Sequence, residues 1–203
     1  MEIAILGAGK IGGTLGKHWA KAGHTIHFGV RDPQKPEVQA LIKSIDGNVT
    51  ATGIPEAIAA GEVILFAIPG PAMEEEIMAN SRALNGKILI DATNNMRASA
   101  NNNFADFSIQ TPKASVYRAF NSYGWENFEK PDFGGVVPDL FYCGSQDEAQ
   151  AVVEKLITDI GLNPVYLGGP EQADLLDGVL KLWFTLSSGQ GMGRHLAFKV
   201  LKG

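Results

Sequence analysis

The sequence predicts an α/β protein: a doubly wound, mainly parallel sheet extended by extra strands, with a small C-terminal helical lobe. Three observations predict it. Apolar runs alternate with helix-period segments from Glu2 to Asp91, the signature of βαβ units and a parallel sheet. The first run, Ile3-Ala4-Ile5-Leu6, breaks into Gly7-Ala8-Gly9-Lys10-Ile11-Gly12 and then a helix-like segment. Two later strand candidates flank a helix and so extend the same sheet.

The elements follow in order. Glu2 to Leu6 reads as a strand and Ile11 to Ala22 as a helix, closed by Gly23. Thr25 to Phe28 alternates as a second strand, Glu37 to Ile45 looks helical, and Asn48 to Ala51 makes a short third strand. Pro55 to Ala60 is a short helix ended by Gly61. The continuous apolar run Glu62 to Ile68 is a buried strand, stopped by Pro69-Gly70-Pro71. Ala72 to Leu84 is a helix with Glu74, Glu75 and Glu76 in its first turns, a solvated face where negative charge suits the dipole. Lys87 to Asp91 is another buried strand, and the Asn-, Ala- and Ser-rich stretch from 97 to Gln110 reads as a long irregular loop. Ser115 to Asn121 is a sixth strand; Asp139 to Gly144 and Asn163 to Leu167 flank the helix Asp147 to Ile160. Glu171 to Leu201 is helical in period, interrupted at Ser187 to Gly193. Residues 1–168 thus form the nucleotide-binding unit and 169–203 a helical lobe packed on it.

Composition narrows the function. A chain of 203 residues with net charge −5 carries no basic run to suit nucleic acid. No apolar stretch reaches the ~18 residues of a membrane span. The single cysteine, Cys143, lies in an apolar run and reads as a buried thiol suited to a reducing cytoplasm. A strand beginning at residue 2 leaves no room for a signal peptide.

A G-x-G-x-x-G turn between strand and helix marks a Rossmann-type dinucleotide site. Gly7 permits the tight turn, Gly9 lets backbone approach a pyrophosphate, and Gly12 lets helix and strand pack closely. At the end of the second strand an NAD-binding chain offers a carboxylate to the ribose 2′-hydroxyl. Here Arg31 stands there, followed by Lys35. A guanidinium forks onto a 2′-phosphate, so the cofactor read is NADP. Asp32, one position late and followed by Pro33, reads as a turn former.

The remaining chemistry is sparse. His18, His24, His27 and His195 show no metal-ligand spacing and read as structural, with His195 in the final helix. Lys181 reads as a surface residue, and no side chain is cast as a covalent or acid–base catalyst or as a metal ligand. Carbonyl reduction needs a proton donor near the oxygen. Hydride transfer between two ring cofactors needs mainly stacking and exclusion of water.

Taken together, Gly7 to Gly12, Arg31 with Lys35, Ala67-Ile68-Pro69, Asp91-Ala92-Thr93-Asn94 and Arg118-Ala119-Phe120-Asn121 resemble the NADPH-dependent coenzyme F-420 reductase family. That family includes the cytosolic NADP-binding domain of the STEAP metalloreductases. The resemblance runs over nearly the whole chain. It implies that Ala8, Lys10 and Ile11 cradle the pyrophosphate and that Val30, Arg31 and Lys35 surround the 2′-phosphate. Ala67, Ile68 and Pro69 would line the ribose region, with Asn94 and Asn121 near the nicotinamide. Gly191 to Gly193 would help close the pocket of a deazaflavin or flavin acceptor, and a homodimer is implied as well. Two positions depart from the family pattern: Val30 replaces a serine or threonine, and Asn95 replaces a common proline. The other reading is an NADP-binding redox sensor without turnover, its second pocket filled by Trp183, Phe184 or Phe198. A third passes electrons to FMN, FAD or a metal acceptor.

Overall fold

The computed structural model describes residues 1–96, 98 and 100–203. Arg97 and Ser99, in the stretch read as a long loop, lie outside the described residues. An eight-stranded sheet runs in the order β3-β2-β1-β4-β5-β6-β7-β8. Its strands are β1 (Glu2–Leu6), β2 (Thr25–Gly29), β3 (Val49–Thr52), β4 (Val63–Phe66), β5 (Ile88–Asp91), β6 (Ser115–Arg118), β7 (Asp139–Gly144) and β8 (Asn163–Tyr166). The first six are parallel, β7 turns antiparallel to β6, and β8 runs parallel to β7. The order reverses at β1, so the carboxyl ends of β1 and β4 bound a crevice where such sheets hold ligands.

Period-two alternation builds the two faces. Ile3 and Ile5 point into one core with Leu15 and Trp19 of α1 (Lys10–Lys21) and Val153, Leu156 and Ile157 of α7 (Gln150–Asp159). Ala4 and Leu6 point into the other, against Ile54, Ala57 and Ile58 of α3 (Ile54–Ala60) and Met73 and Ile77 of α4 (Met73–Leu84). A short helix α2 (Pro36–Lys43) joins β2 to β3. The doubly wound sheet read from the sequence is therefore present.

The differences are local. The stretch read as loop to Gln110 ends in α5 (Phe104–Gln110), where Phe107 is buried and meets Phe66 edge to face at 5.2 Å. Burial of one aromatic stabilises a helix whose composition alone does not. A five-residue helix, α6 (Trp125–Glu129), follows β6 and packs on α1. The C-terminal reading needs correction. Helix α8 (Ala173–Phe184) widens into a π turn at Thr185–Gly189 and ends. Residues 190–203 are not helical. Gly191 and Gly193 take φ of +69° and +86°, which turn the chain back. The returning tail bridges Phe198 to Asp139, adding to the start of β7. His195 accordingly lies in this tail and not in a helix, its ring stacked on Phe133 at 4.2 Å.

Candidate functional site

The turn after β1 is built by contacts that only glycine allows. Gly7 has φ +107° and donates its N–H to Gly29 O at 3.0 Å. A Cβ on Gly7 would sit 2.6 Å from Ala67 O, and one on Gly12 would sit 2.2 Å from Gly7 O. Gly9 differs: a Cβ there meets nothing within 4 Å. Its lack of a side chain answers no need of the fold and leaves open space above the turn. Gly9 is the N-cap of α1, which has no side-chain cap and no acidic residue in its first turn. The first N–H groups of a helix have no partner within it. At α1 they point, with the positive end of the dipole, into that open space. Ala8, Lys10 and Ile11 stand around it, and the Lys10 ammonium lies 4.6 Å over the ring of Trp125.

At the end of β2, Val30 is buried and Arg31 and Lys35 are exposed. Asp32 accepts the Gln34 N–H at 3.0 Å, the turn role expected of it. Lys35 Nζ stands 3.9 Å from Glu37 Oε2 on the surface. The charge of Arg31 is felt at Glu76 of α4: burial and the neighbouring Glu75 raise the Glu76 pKa, and Arg31 lowers it. Glu74 and Glu75 are exposed, as a solvated face requires, while Glu76 is half-buried. On β4 the chain leaves through Ala67 and Ile68, both half-buried, to the exposed Pro69.

The ends of β5 and β6 carry a buried polar network that sequence reasoning missed. Asp91 and Arg118 are register partners on adjacent strands, and their side chains point to the same face. Arg118 is fully buried. Its Nη1 donates to Asp91 Oδ2 at 3.2 Å and Thr93 O at 2.9 Å. Its Nε and Nη2 donate to Asp177 Oδ1 on α8 at 2.9 and 2.6 Å. Nη2 also donates to Asn94 Oδ1 at 3.0 Å. Asn94 in turn donates from Nδ2 to Asn121 O at 2.9 Å. Both ends of the Asn94 amide thus have partners within the protein. Asn121 differs: it is 2% exposed, and its Oδ1 has no hydrogen-bond partner among the described residues. A legible signal was there, because Asp91 closes a strand whose other residues, Ile88, Leu89 and Ile90, are apolar, and Arg118 closes its neighbour. Arg118 was read for its motif and not for its burial.

Between Arg118 and Asn121 the backbone takes an unusual course. Phe120 is a non-glycine residue at φ +62° and fully buried, a conformation costing about 1–3 kcal/mol. Its ring is held edge to face by Trp19 at 5.7 Å and Phe128 at 5.9 Å. The packing fixes the turn that delivers Asn121 to the crevice.

The tail crosses beside α6. Arg194 pairs with Glu126 at 2.6 Å and lies over Trp183, 5.1 Å to the ring centroid. Trp183, buried, donates Nε1–H to Leu196 O at 2.7 Å, and a Cβ on Gly124 would meet its ring at 2.9 Å. Phe198 packs on Tyr123 at 6.0 Å, while Phe184 is partly exposed. Gly191 to Gly193 lie exposed at the turn of this tail.

The other residues weighed from sequence have local partners. His24 meets Asp159 at 2.8 Å, His27 meets Glu2 at 2.7 Å, and His195 meets Lys130 O at 2.8 Å. Burial lowers the His18 pKa. Cys143 is fully buried, and burial pushes its thiol up to about 12. Lys181 is exposed on α8. Among the described residues no group of three or more His, Cys, Asp or Glu is arranged to hold a metal ion, and no helix is long and apolar enough to cross a membrane.

Residues 2–95 match the family described as NADP oxidoreductase, coenzyme F420-dependent. It is the family whose likeness the sequence motifs carry, and its matched segment spans the turn at Gly7 to Gly12 through Asn94. Over 106 residues the chain is 28% identical to glycerol-3-phosphate dehydrogenase [NAD(P)+] of Pseudomonas fluorescens (strain Pf0-1), covering 47% of this chain and 30% of that protein. The chain spans about a third of the length of the first such relatives it matches. Among solved structures, one described as an F420-dependent NADP reductase from Arthrobacter sp. FB24 superposes with a TM-score of 0.87 at 23% identity, covering 100% of both chains. A reductive aminase from Aspergillus terreus, in complex with NADPH and ethyl-5-oxohexanoate, superposes with a TM-score of 0.69 at 23% identity, over 93% of this chain and 63% of that one. These likenesses establish the fold. The family that residues 2–95 match is one of NADP-dependent oxidoreductases.

Proposed function

We propose that this protein is an NADP-dependent oxidoreductase that moves a hydride between NADPH and a flavin-like acceptor, coenzyme F-420 being the best single candidate. The observation that carries it is the uncapped start of α1 beneath the open space over Gly9, with Arg31 on the rim. The residues present fit the cofactor: N–H donors for a pyrophosphate, a guanidinium for a 2′-phosphate, and a buried amide oxygen without a partner at Asn121. In this reading Gly7, Gly9 and Gly12 shape the phosphate turn, with Ala8, Lys10 and Ile11 around it. Val30, Arg31 and Lys35 surround the 2′-phosphate, and Ala67, Ile68 and Pro69 line the riboses. Asn121 meets the ring, and Asn94 supports Asn121 from behind.

When bound, the nicotinamide supplies the hydride. The chain's part is positioning. The α1 N–H groups and the Gly7 turn fix the phosphates, and the buried ends of β5 and β6 exclude water from one side of the ring. The tail from Gly191 borders the acceptor's side. A homodimer and a cytoplasmic location belong to the same proposal, resting on the family resemblance and on the single buried thiol.

The test is NADPH oxidation with a panel of F-420, FMN, FAD and ferric acceptors. Turnover fastest with F-420 is the expected result. Tight NADPH binding with no turnover on any acceptor overturns the reductase reading and leaves the sensor.

A further inference from the structure

Helix α8 lies outside the segment that matches the family, and it nevertheless places one carboxylate in the middle of the crevice network. Asp177 is 4% exposed. Its Oδ1 accepts from Arg118 Nε and Nη2 at 2.9 and 2.6 Å and from Asn121 Nδ2 at 3.4 Å. Oδ2 accepts from Asn102 Nδ2 at 3.4 Å. A carboxylate only accepts, so it decides which end of a neighbouring amide faces it. The Asn121 NH2 group is turned toward Asp177, and Oδ1 is turned away, buried and without a partner. An unpaired buried acceptor costs about 1–3 kcal/mol. Such a group calls for an explanation, and a donor from outside the chain supplies one.

We propose that Asp177 is a positioning residue for the nicotinamide: it orients the Asn121 amide so that Oδ1 accepts from the carboxamide N–H of the bound cofactor. This rests on the NADPH reading above. Arg118 makes the arrangement rigid, since it ties Asp177 to Asp91 and, through Asn94, to the Asn121 carbonyl. The ring's carboxamide then sets which face of the ring looks toward the acceptor. Helix α8 thereby aims a group on the turn that follows β6.

The test compares two ligands that share the phosphate end and differ in the ring. NADPH carries the nicotinamide, and 2′,5′-ADP keeps the 2′-phosphate and lacks it. Binding is measured by the fluorescence of bound NADPH and by its displacement with 2′,5′-ADP. The substitution Asp177→Asn leaves Arg118 paired with Asp91 and removes the fixed preference of the Asn121 amide. NADPH affinity is expected to fall about three- to tenfold, the range for one lost hydrogen bond, with 2′,5′-ADP affinity unchanged. Asn121→Ala should give the same selective loss, and the double variant no further loss. Equal effects on both ligands, or additive losses in the double variant, would show a structural role only and overturn the proposal. If Asp177→Asn fails to fold, Asn121→Ala decides alone, and an unchanged ratio of the two affinities overturns it. A wild-type protein that binds neither ligand overturns the NADPH reading instead.

Discussion

A methyl group on Gly12 would lie 2.2 Å from the carbonyl oxygen of Gly7. The two glycines are therefore one contact, in which the first turn of α1 rests on the end of β1. Gly12→Ala forces backbone apart and should cost about 3 kcal/mol or more, lowering Tm by about 6–12 °C. Gly9→Ala, with open space around it, should leave Tm unchanged and weaken NADPH binding about tenfold or more. Thermal melts and NADPH titrations of the two variants check the pair. If Gly9→Ala binds NADPH as well as the wild type, the phosphate does not sit over that turn.

Arg31 and Glu76 act in opposition. Arg31→Ala should raise KM for NADPH at least about tenfold, as for a lost charge-assisted contact of roughly 1.5–3 kcal/mol, and leave KM for NADH nearly constant. Glu76→Gln should move KM for NADPH the other way, by about two- to fivefold, because it removes a negative charge felt at Arg31. Both effects should shrink in high salt. Steady-state kinetics at two ionic strengths measures them.

Asp139 pins the returning tail. Its Oδ1 accepts from Asn163 Nδ2 and Lys199 Nζ, both at 2.7 Å, and its Oδ2 accepts the Val200 N–H at 2.7 Å. Burial works to raise this carboxyl, and those donors more than offset it, so its pKa lies below the ordinary value. A lowered carboxyl contributes stability in full above the unfolded value near pH ~4. That contribution is lost as pH falls through the folded value. Limited proteolysis should spare the tail after about residue 196 at pH 7 and cut it progressively faster as the pH is lowered below ~4. Asp139→Asn should expose the cut at pH 7 as well.

Cys143 should not react with a thiol reagent such as Ellman's in the folded protein. Its thiol is buried and pushed up to about 12, while an ordinary exposed thiol near 8.5 reacts readily. One equivalent should titrate after unfolding in guanidinium. Fast labelling in the native state would mean that the strand β7 opens.

Much of this architecture was legible because its determinants are local. The alternation at Ile3 to Leu6 and the glycine spacing at Gly7 to Gly12 each depend on residues close in sequence. The helix α5 was not, since only the burial of Phe107 against Phe66 stabilises it. The tail from Gln190 was not, since its helical period competes with two left-handed glycines and with a distant carboxylate at Asp139. The crevice network was hidden for the same reason. Arg118 and Asp177 are 59 residues apart, and no window of sequence shows that a charged strand end meets a charged helix face.

The reversal between β6 and β7 has a consequence for how the molecule is assembled. Six strands release their loops at the crevice, whereas β7 and β8 begin there, with Asp139 and Asn163 as their first residues. The connections that follow these two strands come off at the opposite edge, the same edge as the hollow of about 510 Å³ lined by Met1, Gly61 and Lys87. The last two strands therefore act as a buttress. They brace the crevice with their strand starts, and the chain that leaves β8 at the rear returns through α8 to set Asp177 in the crevice network, so a change of length in that connection would be felt at the front.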